Sequence, residues 1–257
     1  MKKLPLILSV VFCLSACNTS AQNKTVTHES QTWLGYFNQS RYSKRWGSWL
    51  DIHLRTKEEV FKGWSQFLIR VGVTYYANDR LKLTAGYVYA NHFPADDHKG
   101  VSMPEHRFWE QVQWQIQYPR LRFTQAVRFE QRYRRKILND KELAPGYNFN
   151  YRIRYNTVLN MPINKRVWEA NTIALIMSDE IFINFGKQIV YNHFDQNRFF
   201  AGLSWYINAH DHIQLGYMNL FQQSASGNAF KSRHILRLYF IQNLDWRKQQ
   251  KNAPAVQ

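Results

Sequence analysis

The chain has 257 residues, 45% hydrophobic, 16% aromatic and 20% charged, with 34 Lys and Arg against 18 Asp and Glu. That aromatic content excludes disorder through lack of apolar surface, and having only two cysteines, Cys13 and Cys17, excludes a disulfide scaffold. The mean hydropathy is −0.51, and beyond the first residues no apolar run approaches the ~18 needed to cross a bilayer, which excludes a helical membrane protein.

The chain opens as an export signal. Lys2 and Lys3 precede an apolar stretch from Leu4 to Leu14, then small residues, then polar ones. Thr19-Ser20-Ala21 before Gln22 reads as an ordinary cleavage site, giving a signal peptide over 1–21. The alternative is a lipoprotein signal over 1–16, with Leu14-Ser15-Ala16-Cys17 as lipobox and Cys17 lipidated. The ordinary site is preferred because the architecture below supplies its own membrane anchor. Residues 22–30 then form a short N-terminal segment, 31–246 a single barrel domain and 247–257 a polar tail.

Period-2 alternation dominates after Thr32. Strands are predicted at Trp46–Arg55, Gln66–Tyr75, Leu81–Tyr89, Gln111–Tyr118, Leu121–Arg134, Asn148–Met161, Val167–Met177, Arg198–Ile207, Ile213–Phe221 and Arg233–Asn243. The clearest sets Val112, Trp114, Ile116 and Tyr118 against Gln111, Gln113, Gln115 and Gln117. Short turns (Tyr76–Arg80, Pro119-Arg120, Pro162–Arg166, Asn208–Asp211) alternate with long polar loops (Asn91–Glu105, Arg135–Gly146, Asn184–Gln196, Ser224–Ser232). An up-and-down meander in an outer membrane has this rhythm.

Alternation alone fits a soluble barrel as well. Three features favour the inverted, membrane-spanning kind. Aromatics gather at strand ends (Trp46, Trp64, Tyr75, Tyr89, Phe108, Tyr118, Tyr133, Tyr147, Trp168, Trp205, Phe221), as interfacial girdles do. The polar faces are rich in Gln, Asn and paired Arg. The alternation also fills nearly the whole mature chain. The expected fold is all-β: a closed antiparallel up-and-down transmembrane β-barrel of about 12 strands, with 10–14 as the range. About eleven segments are countable once the first strand of the Trp33–Arg55 hairpin is added. An even number requires an extra strand at Lys24–Gln31 or a hairpin within Asn184–His193.

The blocks Arg128–Tyr133, Tyr151–Tyr155, Asp179–Asn184 and Asp195–Leu203, with the Trp33–Arg55 hairpin and Leu81–Tyr89, resemble the recurrent blocks of domain of unknown function 2490. The resemblance spans roughly residues 30–245. It implies a Gram-negative outer-membrane barrel and supplies no activity, substrate or cofactor.

The residues predicted to face inward include Arg128, Glu130, Arg132, Arg152, Arg154, Glu180 and Arg198. One reading is structural, with Arg–Glu ladders and amides filling the lumen. The other is an anion site, with Arg128, Arg132, Arg152 and Arg154 converging on a phosphate, carboxylate or sulfate. The functional expectation is therefore a narrow pore or plugged barrel that binds or passes small anions. The alternatives are an outer-membrane lipid- or polysaccharide-modifying enzyme, or a soluble periplasmic barrel lipoprotein. No catalytic motif supports an enzyme: Ser224-Ala225-Ser226-Gly227-Asn228 has only His234 nearby as a base, and His210-Asp211-His212 reads as a turn. His92, His98 and His106 read as solvated loop residues rather than a metal site, and no cofactor is expected. The expected partners are outer-membrane lipid, lipopolysaccharide at Lys99, Arg135, Lys136, Lys141, Lys187 and Lys231, and a small anion. Export and scattered charge argue against nucleic acid, and a monomer is expected.

Overall fold

The computed structural model describes residues 24–57, 63–94 and 100–247. The export signal, Cys17, His98, Lys99 and nearly all of the 247–257 tail lie outside the described residues. Eleven strands follow in chain order: β1 Thr25–Arg41, β2 Trp46–Thr56, β3 Trp64–Tyr76, β4 Leu81–His92, β5 Met103–Gln117, β6 Arg122–Ile137, β7 Leu143–Pro162, β8 Thr172–Phe185, β9 Phe194–Tyr206, β10 Asp211–Gln223 and β11 Ala229–Asp245. Most are two to three times the ~5–6 residues usual in soluble sheets.

Each strand pairs antiparallel with its chain neighbours, and β1 pairs with β11 to close the barrel. This last pair is parallel, running from Thr25↔Ala229 to Arg41↔Asp245. Eleven strands fall within the expected range of 10–14, while the expected all-antiparallel closure is corrected to one with a parallel seam. An odd meander makes its first and last strands run the same way, and a parallel ladder still satisfies the backbone donors and acceptors that an open edge would leave unmet. Neither proposed source of a twelfth strand supplies one. Residues 25–31 are the first half of β1, and residues 186–193 are the turn between β8 and β9.

Two boundaries also move. The expected Val167–Met177 strand begins only at Thr172, because residues 163–171 form a longer turn tied by Asn164 Nδ2 donating to the Asn171 carbonyl (2.9 Å). Asn171 adopts a left-handed φ of 60° there, a conformation asparagine tolerates better than most residues. The Arg135–Gly146 loop shrinks to residues 138–142, because β6 and β7 continue pairing into it.

The register gives every strand one inward and one outward face. Outward lie Val71, Val73, Leu83, Val112, Ile116, Val127, Ile153, Leu159, Leu175, Met177, Leu203, Leu215, Leu236 and Leu238, all exposed. Inward lie Asp51, Arg70, Glu105, Arg107, Arg128, Glu130, Arg132, Arg152 and Arg154, all buried. Toward the long-loop end, outward rings link β4 to β8: Tyr87–Phe108 (5.6 Å between centroids), Phe108–Tyr133 (6.3 Å), Tyr133–Phe149 (4.7 Å), Phe149–Tyr151 (4.7 Å) and Tyr151–Phe185 (5.4 Å).

Candidate functional site: an arginine-lined lumen

Alternation carries the inward residues of eleven strands to one axial cavity of about 810 Å³. Its lining runs from Met103, Asn192 and Ala225 near one rim to Gln115, His212 and Asn243 near the other. Eleven arginines and two lysines line it, against Glu180 and Asp195.

The seven candidate residues fall on neighbouring strands β6 to β9, and the structure joins all but Arg128 into one ladder. Glu130 of β6 accepts from Arg152 Nε (2.8 Å) and from Arg154 Nη1 (2.8 Å) on β7. Arg154 also donates to Glu180 of β8 (2.9 Å from Nε), and Arg198 of β9 approaches Glu180 at 4.0 Å. Arg152 Nη1 reaches Asp195 (2.7 Å), and Arg132 binds Glu105 (2.6 Å). Glu105 also accepts from Arg107 (2.9 and 2.8 Å) and contacts His92 (2.8 Å). Three of the four arginines proposed to converge on an anion therefore converge on the protein's own carboxylates. Such charge-assisted bonds are strong, and pairing is what makes buried charge tolerable.

Arg128 is different. It donates twice to the Gln111 amide oxygen (2.9 and 2.6 Å) and lies over the Trp109 ring (4.5 Å), with no ion pair among the described residues. Trp109 itself is fully buried against a Gly72↔Gly86 pair on β3 and β4. A Cβ at Gly86 would stand 2.0 Å from the Val71 carbonyl oxygen and 2.9 Å from Trp109 Nε1, so glycine is what lets the indole lie on the wall. The opposite wall repeats the arrangement. Gly202↔Gly216 on β9 and β10 makes room for Phe200, and Arg237 of β11 stacks on that ring at 3.2 Å while donating to Gln214 (3.2 Å).

Two ladder carboxylates were not among the candidates. Glu105 was assigned to a loop, although Glu105-x-Arg107 continues the inward set of Gln111 and Gln113. Asp195 has the parity of an outward residue. A bulge opposite Phe182/Ile183 makes it the extra residue and turns its carboxylate inward. The buried rings Trp33, Trp49, Trp109, Phe182 and Phe200 are likewise outside the candidate set.

The other candidates disperse. His212 faces inward and stacks on Tyr206 (4.6 Å), while His210 Nδ1 contacts the Asn243 carbonyl in the turn (3.0 Å). The two ring nitrogens of His234 face Tyr217 and His28 rather than the 224–228 turn. Lys231 lines the lumen beside Glu29 (3.5 Å), so it leaves the set of outer-loop cations.

A closed barrel with its charges turned inward and its apolar side chains outward defines the class. The chain belongs to the DUF2490 family, a protein family of unknown function whose model matches residues 30–231. It is 26% identical over 180 residues to an uncharacterised protein of Methylorubrum extorquens, a match covering 67% of this chain and 70% of that relative. No solved structure matches the chain. Neither the family nor the relative points to an enzyme.

Proposed function

We propose that this chain is an exported outer-membrane β-barrel whose arginine-rich lumen binds or passes small anionic solutes. The observation that carries the reading is the inversion of faces. A soluble barrel turns Val, Leu and Ile inward. Here Arg152, Glu130 and Glu105 are buried, while Val112, Leu215 and Leu238 are exposed around the wall. Lipid is the solvent in which that distribution is stable. The anion preference follows from the lining. Cations outnumber carboxylates along the cavity, and a low-dielectric wall focuses their field and raises the local concentration of counter-ions. Arg128 and Arg237 contribute to it, since among the described residues neither makes an ion pair with a carboxylate. Arg135, Lys136, Lys141 and Lys187, toward the long-loop end, suit contact with acidic lipopolysaccharide, and the seamed single chain acts as a monomer.

Fractionation followed by gel migration with and without boiling tests the membrane placement. A folded outer-membrane barrel migrates faster unboiled, and recovery in the soluble periplasmic fraction overturns the reading. Reconstitution into planar bilayers under a salt gradient tests the lumen. The expected reversal potential is that of an anion-preferring path. A cation-preferring path would refute it, as would absence of both conductance and anion retention.

A further inference from the structure

On the outer face of the closing seam, His28 of β1 and His234 of β11 stand together. Their rings are stacked, with centroids 5.7 Å apart and planes 16° apart, and His28 Nδ1 lies 3.4 Å from His234 Nε2. That separation is long for an N–H···N hydrogen bond. It matches a metal pair: two Zn–N bonds of about 2.05 Å at the tetrahedral angle set their nitrogens about 3.4 Å apart. The second nitrogen of His234 is also held, with Nδ1 2.7 Å from the Tyr217 hydroxyl of β10. A histidine that ligates through one nitrogen is normally fixed by a hydrogen bond at the other. With Nδ1–H donating to Tyr217, the Nε2 lone pair is free and faces His28. The pair borders an open recess that also includes Thr27, Ser30 and Lys57, which leaves room for an ion.

We propose that His28 and His234 form a binding site for a divalent transition metal of the zinc class. Tyr217 is its positioning residue. Imidazole nitrogens select such metals over magnesium or calcium. Among the described residues no third His, Cys, Asp or Glu completes a cluster, so two coordination positions stay open to water or to an oxygen ligand. The site also has a mechanical role. Among the described residues, Thr25–Gln31 pairs along β11 alone, while the β1–β2 ladder begins at Trp33↔Arg55. A metal held by both histidines pins this one-sided stretch to the seam.

The test uses the full mature chain folded in detergent, titrated calorimetrically with Zn²⁺ and, as control, Mg²⁺. One zinc per chain is expected, with no magnesium response, and Co²⁺ should give the visible bands of a tetrahedral site. H28Q and H234Q should each weaken zinc at least tenfold while keeping the heat-modifiable migration of the folded barrel. Y217F should weaken it about tenfold, the scale of losing a partner that orients a ligand. H106Q, on β5, should leave it unchanged. Hydrogen exchange supplies a second measurement, in which zinc should slow exchange of the 25–31 amides in the parent chain and not in H234Q. Absence of zinc binding by the parent chain would overturn the proposal, as would affinity unchanged in H28Q or H234Q.

Discussion

Along β5 to β9 the lumen arginines meet carboxylates: Arg107 and Arg132 on Glu105, Arg152 on Glu130 and Asp195, Arg154 on Glu130 and Glu180. Arg128 and Arg237 instead rest on rings and amides, each above an aromatic that lies against a glycine pair. The same residue type does two jobs. In the ladder, charge is cancelled where it stands, and what remains is geometry: five strands cross-linked through their inward faces. In the two stacks, the ring and the amide orient the guanidinium without neutralising it. The first arrangement holds the wall, and in the proposed function the second supplies the field that an anion in the lumen would feel.

The largest expected effect comes from breaking the ladder. Arg152→Gln leaves Glu130 and Asp195 short of their shared partner, and removing one member of a buried pair costs about 3–5 kcal/mol. Urea titration of the folded, heat-modifiable form should show a correspondingly lower midpoint. A change under about 1 kcal/mol would mean that the ladder is solvated and not structural. Next comes the support beneath the stacks. Gly86→Val drives a side chain into the Val71 carbonyl and Trp109 and should cost about 1–3 kcal/mol by overpacking. The same titration measures it.

The sharpest contrast is in selectivity. Arg128→Gln combined with Arg237→Gln should move stability by about 1 kcal/mol per site, the scale of a cation–π contact, yet shift the reversal potential toward cations. The double change Glu130→Gln with Arg154→Gln removes one charge of each sign and should leave the potential nearly in place. Equal shifts from both pairs would erase the distinction. The smallest effect lies outside the lumen. At the short-turn end Asp79 accepts from Arg41 (2.6 Å), and this hydrogen bond and charge hold its carboxyl below the usual range. Asp79 is largely exposed, so Asp79→Asn should change stability by less than about 1 kcal/mol.

Much of this was legible in the residues. Period-2 alternation located nearly every strand, and its parity put Arg128, Glu130, Arg132, Arg152, Arg154, Glu180 and Arg198 on one inward surface. What alternation lacks is anything that breaks it or closes over distance. Asp195 sits on a bulge, which inverts parity at one position and leaves no periodic trace. Glu105 fell to a loop because Pro104 and the polar run before it read as a turn, although β5 starts at Met103. The parallel seam depends on β1 meeting β11 some 200 residues later, which no local window contains. The buried rings stay hidden for a related reason. A tryptophan at a strand end and one over a glycine pair look alike until register brings the glycines of two strands face to face.

The odd strand count has a directional consequence. Thr25 N bonds the Asn228 carbonyl at one rim, and Trp246 N bonds the Arg41 carbonyl at the other. The chain therefore enters the barrel at one mouth and leaves by the opposite one, whereas an even meander returns both ends to the same mouth. On the proposed outer-membrane placement, epitopes just before Thr25 and just after Asp245 would report from two different compartments of an intact cell. A short linker cannot join them, so circular permutants of this barrel require a connection as long as the wall is tall.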